Sequence, residues 1–117
     1  MTRRVLIVDD HAPFRELARA LLEAEGFTVV GEADDAASAV VAASTVRPDL
    51  VLLDVFLPDG RGWEIVQDVS DAGGGSAVVL TSSRDVSSFG RRLNASGARG
   101  FLAKDELSGA ALEALMQ

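Results

Sequence analysis

The chain has 117 residues, 48% hydrophobic and 25% charged, with no cysteine and a net charge of −7. That length suits one domain, residues 1–117, with a single core, and the composition excludes a disordered chain. The missing cysteines exclude a disulfide framework and a thiolate metal site, and the acidic balance argues against direct nucleic-acid binding by this domain.

No apolar run reaches the about eighteen residues that a membrane helix needs. Met1-Thr2-Arg3-Arg4 leads straight into a short apolar run, so neither a leader nor a membrane segment is expected, and the expected location is cytoplasmic.

Val5-Leu6-Ile7-Val8 is wholly apolar and mostly β-branched, which predicts a buried strand. From Ala12 to Glu25, Phe14, Leu17, Ala18, Leu21 and Ala24 recur at helical spacing, with Pro13 in the first turn and Gly26 as a stop. Thr28-Val29-Val30 is a second strand, and Asp34 or Asp35 caps a helix through Ala36, Ala39, Val40 and Ala43. Leu50 to Leu53 is a third buried strand. A loop over Phe56–Gly62 leads into a helix from about Trp63 to Val69, and Gly73-Gly74-Gly75 is a connector. Ala77 to Leu80 predicts the fourth strand, Val86 to Asn94 a weaker helix, Gly100 to Ala103 the fifth strand and Leu107 to Met116 the last helix.

Five strand–helix units with wholly apolar strands imply an α/β fold: a doubly wound, five-stranded parallel sheet with helices on both faces. Right-handed crossovers leave the flavodoxin-like order 2-1-3-4-5 as the natural arrangement, with a crevice between the first and third strands.

Ligands in such sheets bind beyond the carboxyl ends of the strands. Here the first strand ends on Asp9-Asp10, the third on Asp54, the fourth on Thr81-Ser82 and the fifth on Lys104. Three carboxylates in one crevice repel one another, so a hard cation is expected among them, and Mg²⁺ suits a site with few protein oxygens and several waters. Aspartate is a competent nucleophile toward phosphorus. Lys104 would pair with phosphoryl oxygens, and the Thr81 hydroxyl would donate to one of them.

Lys104 is also the only lysine among eleven basic residues, which suggests a place that needs a compact ammonium rather than a guanidinium. Plainer roles stand beside these. Asp9 or Asp10 could cap the helix at Ala12, Asp54 could accept from loop amides, and Thr81 could be a strand-end hydroxyl satisfied by backbone. His11, the sole histidine, reads as a solvated helix-start residue, and Phe56 and Trp63 as packing over the loop. The triple glycine lacks a following Gly-Lys-Ser/Thr, so it is no P-loop.

Val-Asp9-Asp10-His, Leu-Leu-Asp54-Val-Phe-Leu-Pro58, Val-Leu-Thr81-Ser and Gly97-Ala-Arg-Gly100-Phe101-Leu-Ala-Lys104-Asp together resemble the receiver domain of bacterial two-component response regulators. The Gly31-Glu32-Ala33 stretch and the Gly-Phe-Leu-x-Lys-Asp ending are most similar to receivers that precede helix-turn-helix output domains. The resemblance implies that Asp54 takes a phosphoryl group from a histidine kinase or phosphotransfer protein. It implies Mg²⁺ on Asp9, Asp10, Asp54 and the Phe56 backbone carbonyl, and Lys104 on the phosphoryl group. It also implies a switch pair, Thr81 and Phe101, that reshapes the face made by the fourth helix, fifth strand and fifth helix, through which a homodimer could form. Control of transcription would run through an output domain absent from these residues. Phe101 stands where the family often has tyrosine, and Phe56 and Ser83 flank the site. The competing expectations are an interaction-only module of the same fold and an aspartyl-phosphate hydrolase, whose paired acids would stand two apart on one loop where Asp9 and Asp10 are adjacent.

Overall fold

The structure is a computed structural model that describes residues 2–117. Its main sheet contains β1 (Arg4–Val8), β2 (Thr28–Ala33), β3 (Leu50–Asp54), β6 (Ala77–Ser82) and β7 (Gly100–Ala103), and β4 (Phe56–Leu57) and β5 (Gly60–Arg61) form a separate hairpin. All pairs of the main sheet are parallel and the order is β2-β1-β3-β6-β7. Set in chain order, that is the expected 2-1-3-4-5 arrangement. The helices are α1 (Ala12–Ala24), α2 (Ala36–Val46), α3 (Gly62–Ala72), α4 (Gly90–Ala95) and α5 (Gly109–Met116).

Strand alternation builds two cores. Val5, Ile7, Leu50, Leu52 and Val79 pack with Phe14, Ala18 and Leu22 of α1 and Leu112 of α5. Leu6, Val8, Val51, Leu53, Val78 and Leu80 pack with Ala39 and Ala43 of α2 and Val66 and Val69 of α3, and Phe89, Leu93 and Phe101 join from the edge. Both faces of β3 are buried along its whole length, which is why it reads as an unbroken apolar run.

Local chemistry moves several boundaries from those the sequence predicts. The expected 56–62 loop contains the β4–β5 hairpin, because Leu57 buries itself in the core and Pro58-Asp59 turn the chain. Asp35, rather than Asp34, caps α2 by accepting from Ser38 N at 2.7 Å. The third helix runs longer than Trp63–Val69 because it starts at Gly62, where Glu64 Oε1 accepts from Arg61 N at 3.0 Å, and stops only at the triple glycine.

The helix expected over Val86–Asn94 splits into a 3₁₀ turn, Ser87–Phe89, and the short α4. Paired serines and Gly90 are poor helix formers, and Asp85 Oδ1 draws the Ser87 amide into a local turn. The last helix begins at Gly109 instead of Leu107, since Ser108 caps it through Ala111 N at 3.0 Å; a 3₁₀ turn spans Lys104–Glu106.

Gly62 carries the tightest packing near the crevice. Its amide donates to Val55 O at 2.7 Å, and a methyl group there would press into the Asp54 carbonyl oxygen. Alanine usually favours a helix over glycine. Here the sign should reverse: Gly62→Ala is expected to cost about 1–3 kcal/mol in urea denaturation, because it overpacks backbone against backbone. A gain in stability would contradict this packing.

Candidate functional site

β1 leads into Asp9, which is fully buried, and Asp10, which is exposed; β3 ends on Asp54, 5% exposed. One oxygen from each of the three carboxylates lies within 4.8 Å of the others. Several contacts hold this edge in place. Asp9 Oδ1 accepts from His11 N at 2.8 Å, which closes the turn before α1, but no side chain caps the helix itself, so the expected cap at Ala12 by Asp9 or Asp10 does not form. The Arg15 guanidinium donates to Asp9 O at 2.6 Å and to Glu32 Oε1 at 2.9 Å, while Arg19 takes the other Glu32 oxygen. Glu32 thus braces the β1–α1 turn from outside the crevice. Asp54 Oδ1 accepts from Phe56 N at 3.1 Å.

Lys104 is the countercharge. Its Nζ stands 2.6 Å from Asp9 Oδ2 and 3.4 Å from Asp54 Oδ2, and 4.5 Å from the centre of the Phe14 ring. The approach to Asp9 is off the hydrogen-bonding direction, so Asp9 Oδ2 is buried with an ionic neighbour but no hydrogen bond. One ammonium therefore serves two buried carboxylates and fully satisfies neither.

The crevice has a volume of about 340 Å³ and is lined by Asp10, His11, Asp54, Phe56, Ser82, Ser83, Arg84 and Lys104. Of the residues expected at the site, Asp9, Asp10, Asp54 and Lys104 meet and Phe56 lines the wall. Thr81 is buried next to the crevice without lining it. It stands in register with Asp54 on the adjacent strand, and its carbonyl accepts from Val55 N at 2.8 Å. Ser82, one residue on, does line the crevice, and its Oγ accepts from Arg84 N at 2.9 Å. Phe101 is half-buried at the edge of the core that holds Leu80, its register partner on β6.

Arg84, which reads from the sequence as part of a solvated arginine face, instead lines the crevice, its guanidinium 4.7 Å from the centre of the Phe56 ring, with Arg61 at 5.1 Å from that ring. Trp63 and Phe56 both pack on Phe89, with ring centres 5.0 and 6.0 Å apart, as their aromatic character implies. The loops over the crevice are thus held by aromatic and cation–π contacts.

Burial, and next the charge of Asp9, push the Asp54 carboxyl up to about 6, against the opposing pull of the Phe56 amide and Lys104. An acid that binds its proton more tightly when folded stabilises the fold as pH falls through that value, and the effect is complete below the unfolded value of 3.8. Glu32, Asp59 and Glu113 are held below their ordinary values by hydrogen bonds, so they withdraw stability only at lower pH. Without metal, urea denaturation should therefore show the chain more stable at about pH 5 than at pH 7, by about 1–2 kcal/mol. Asp54→Asn should raise stability at pH 7 and flatten that dependence. An unchanged slope in the variant would contradict the account.

Comparison with known proteins places this geometry in a family. The family described as response regulator receiver domain matches residues 5–116. The chain is 38% identical over 106 residues to the transcription regulator of virulence factors BvgA of Bordetella pertussis, covering 91% of this chain and 51% of that protein. It is 35% identical over 115 residues to response regulator GacA of Pseudomonas aeruginosa, covering 97% and 52%. The chain thus spans about half the length of the curated relatives it matches. Among solved structures it is similar to the signal receiver domain of NarL from Mycobacterium tuberculosis, at a TM-score of 0.84 and 35% identity over 98% of this chain and 97% of that one. A two-component response regulator of the LuxR family from Aurantimonas sp. SI85-9A1 superposes at 0.86 with 30% identity, over 99% and 86%. The chain belongs to the response regulator receiver domain family.

Proposed function

We propose that this chain is a phosphorylation-driven switch in which Asp54 accepts a phosphoryl group from a histidine kinase or phosphotransfer protein. The observation that carries this reading is the meeting of Asp9, Asp10 and Asp54 within 4.8 Å, with Lys104 reaching two of them. The donor set is all oxygen and under-compensated by the one ammonium, so it fits a hard divalent cation. Asp9, Asp10, Asp54 and the Phe56 carbonyl would hold Mg²⁺, which would offset charge on the phosphoryl oxygens.

In the transfer, an Asp54 carboxylate oxygen bonds to phosphorus as the donor's P–N bond breaks. The electron pair leaves on the imidazole nitrogen, and an acyl phosphate forms. Asp54 must be ionised to attack; burial and Asp9 oppose that ionisation, and Lys104 and the Phe56 amide favour it. Lys104 pairs with the added oxygens, and a hydroxyl on β6 donates to another. Thr81 is the proposed donor, supported by its register beside Asp54. A second reading gives the role to Ser82, supported by its place on the crevice wall.

Movement of Thr81 toward the phosphoryl group would open space for Phe101, reshape the α4–β7–α5 face and favour a homodimer there. The relatives' names support control of transcription; that control would run through an output domain outside these residues, in the cytoplasm. The interaction-only reading gains no observation: every acid of the crevice is in place. The hydrolase reading gains none either, since no substrate cap covers the crevice among the described residues.

Incubation with acetyl phosphate, read by intact mass, tests the reading. One phosphoryl group per chain is expected, dependent on Mg²⁺ and absent in Asp54→Asn. Thr81→Val should slow labelling by about tenfold or more, as for loss of one transition-state donor, while Ser82→Ala stays near the parent rate. Labelling that persists in Asp54→Asn would overturn the Asp54 assignment, and a slow Ser82→Ala beside an unaffected Thr81→Val would move the hydroxyl role to Ser82.

A further inference from the structure

The β4–β5 hairpin carries Phe56, whose amide meets Asp54 and whose carbonyl is the proposed metal ligand, yet it is short and its turn, Pro58-Asp59, is exposed. Two antiparallel pairs alone are marginal in water. Beyond the burial of Leu57 and the packing of the Phe56 ring, the hairpin is tied at its exposed turn by a contact from the second strand–helix connection. Asp59 Oδ1 accepts from Ala36 N at 2.7 Å and Asp59 Oδ2 from Ala37 N at 3.1 Å. Both oxygens of one carboxylate are spent on the first turn of α2, across more than twenty residues of sequence.

That helix does not depend on Asp59 for a cap. Asp35, adjacent in sequence, already serves Ser38 N. The distant carboxylate therefore adds a tether between the hairpin and the core-packed α2, whose Ala36, Ala39 and Ala43 are buried. These hydrogen bonds also hold the Asp59 carboxyl below its ordinary range, as expected for a carboxylate at two backbone amides near a helix start.

We infer that Asp59 is a positioning residue: by clamping the hairpin to the N-terminus of α2 it holds Phe56 at the geometry that Mg²⁺ binding requires. The inference rests on the proposed Mg²⁺-dependent phosphoacceptor reading. Groups outside the ligand set that orient a ligand commonly govern metal affinity about 10–100-fold when lost. Asp59 acts through one backbone ligand among several, so the lower end applies.

The test compares Asp59→Ala with Asp35→Ala in the full chain. Each removes one carboxylate from the start of α2, but only the first frees the hairpin. Mg²⁺ titrations are followed by the fluorescence of Trp63, the only tryptophan, which lies in the first turn of α3 directly after the hairpin. Asp59→Ala should bind Mg²⁺ about tenfold more weakly and exchange the Phe56 and Gly62 amides faster, with Leu50–Leu53 unchanged. Asp35→Ala should lose comparable stability yet keep parent Mg²⁺ affinity and parent exchange in the hairpin. Equal Mg²⁺ affinities in the two variants, or parent-like exchange at Phe56 and Gly62 in Asp59→Ala, would overturn the inference. If the parent itself binds no Mg²⁺, the metal reading fails, and the exchange of those two amides alone decides whether Asp59 clamps the hairpin.

Discussion

Negative charge is concentrated where the sheet can least dissipate it. Asp9 and Asp54 leave adjacent parallel strands at the same edge, inside the rim of two hydrophobic cores, and share one ammonium. At such separations the repulsion is large wherever water is thin. The fold accepts that cost because the apolar strands beneath are buried on both faces and the turns around the acids are pinned by Arg15, the His11 amide and the Phe56 amide. In a site built this way an added positive charge eases the repulsion, and the proposed phosphoryl group would need Lys104 and a hydroxyl to offset its own charge.

The two sides of the crevice are held by different means. On the β3 side, hydrogen bonds dominate: Gly62 N to Val55 O, Arg61 N to Glu64, and the Asp59 clamp onto α2. On the β6 side, the hydrogen bonds of the segment after Ser82 are local, Arg84 N to Ser82 Oγ and Ser87 N to Asp85 Oδ1, and its ties to the rest of the crevice are the Arg84–Phe56 stack and the aromatic packing of Phe89. Side-chain stacking is easier to exchange than backbone hydrogen bonding to a buried helix. The asymmetry is in keeping with the switch proposed above, in which the loop after β3 would stay still while the loop beyond β6, with Phe101 behind it, responds.

Much of this is legible in the amino-acid sequence. Wholly apolar runs mark strands buried on both faces, and asking what each strand ends on gathers Asp9, Asp10, Asp54 and Lys104 without any alignment. The same property hides that Ser82, rather than Thr81, lines the crevice wall: in a strand buried on both faces, apolarity carries no alternation, so the facing of the last two residues depends on register with the neighbouring strands. The hairpin escapes because Leu57 looks like one more loop hydrophobe until the core it enters is known. Asp59 escapes because its partners are backbone amides, which no sequence pattern displays. The broken fourth helix is readable in principle, since Ser87, Ser88 and Gly90 all disfavour a helix, but the surrounding apolar spacing outweighs them.

At the centre stands Asp54, in a carboxylate cluster whose charge one ammonium does not balance. Carbon-detected NMR titration of the Asp54 side chain, with and without saturating Mg²⁺, tests this most directly. The account predicts a midpoint near 6 in the metal-free protein, moving well below the ordinary carboxylate range when Mg²⁺ is bound. An ordinary midpoint in both conditions, insensitive to Mg²⁺, would contradict it.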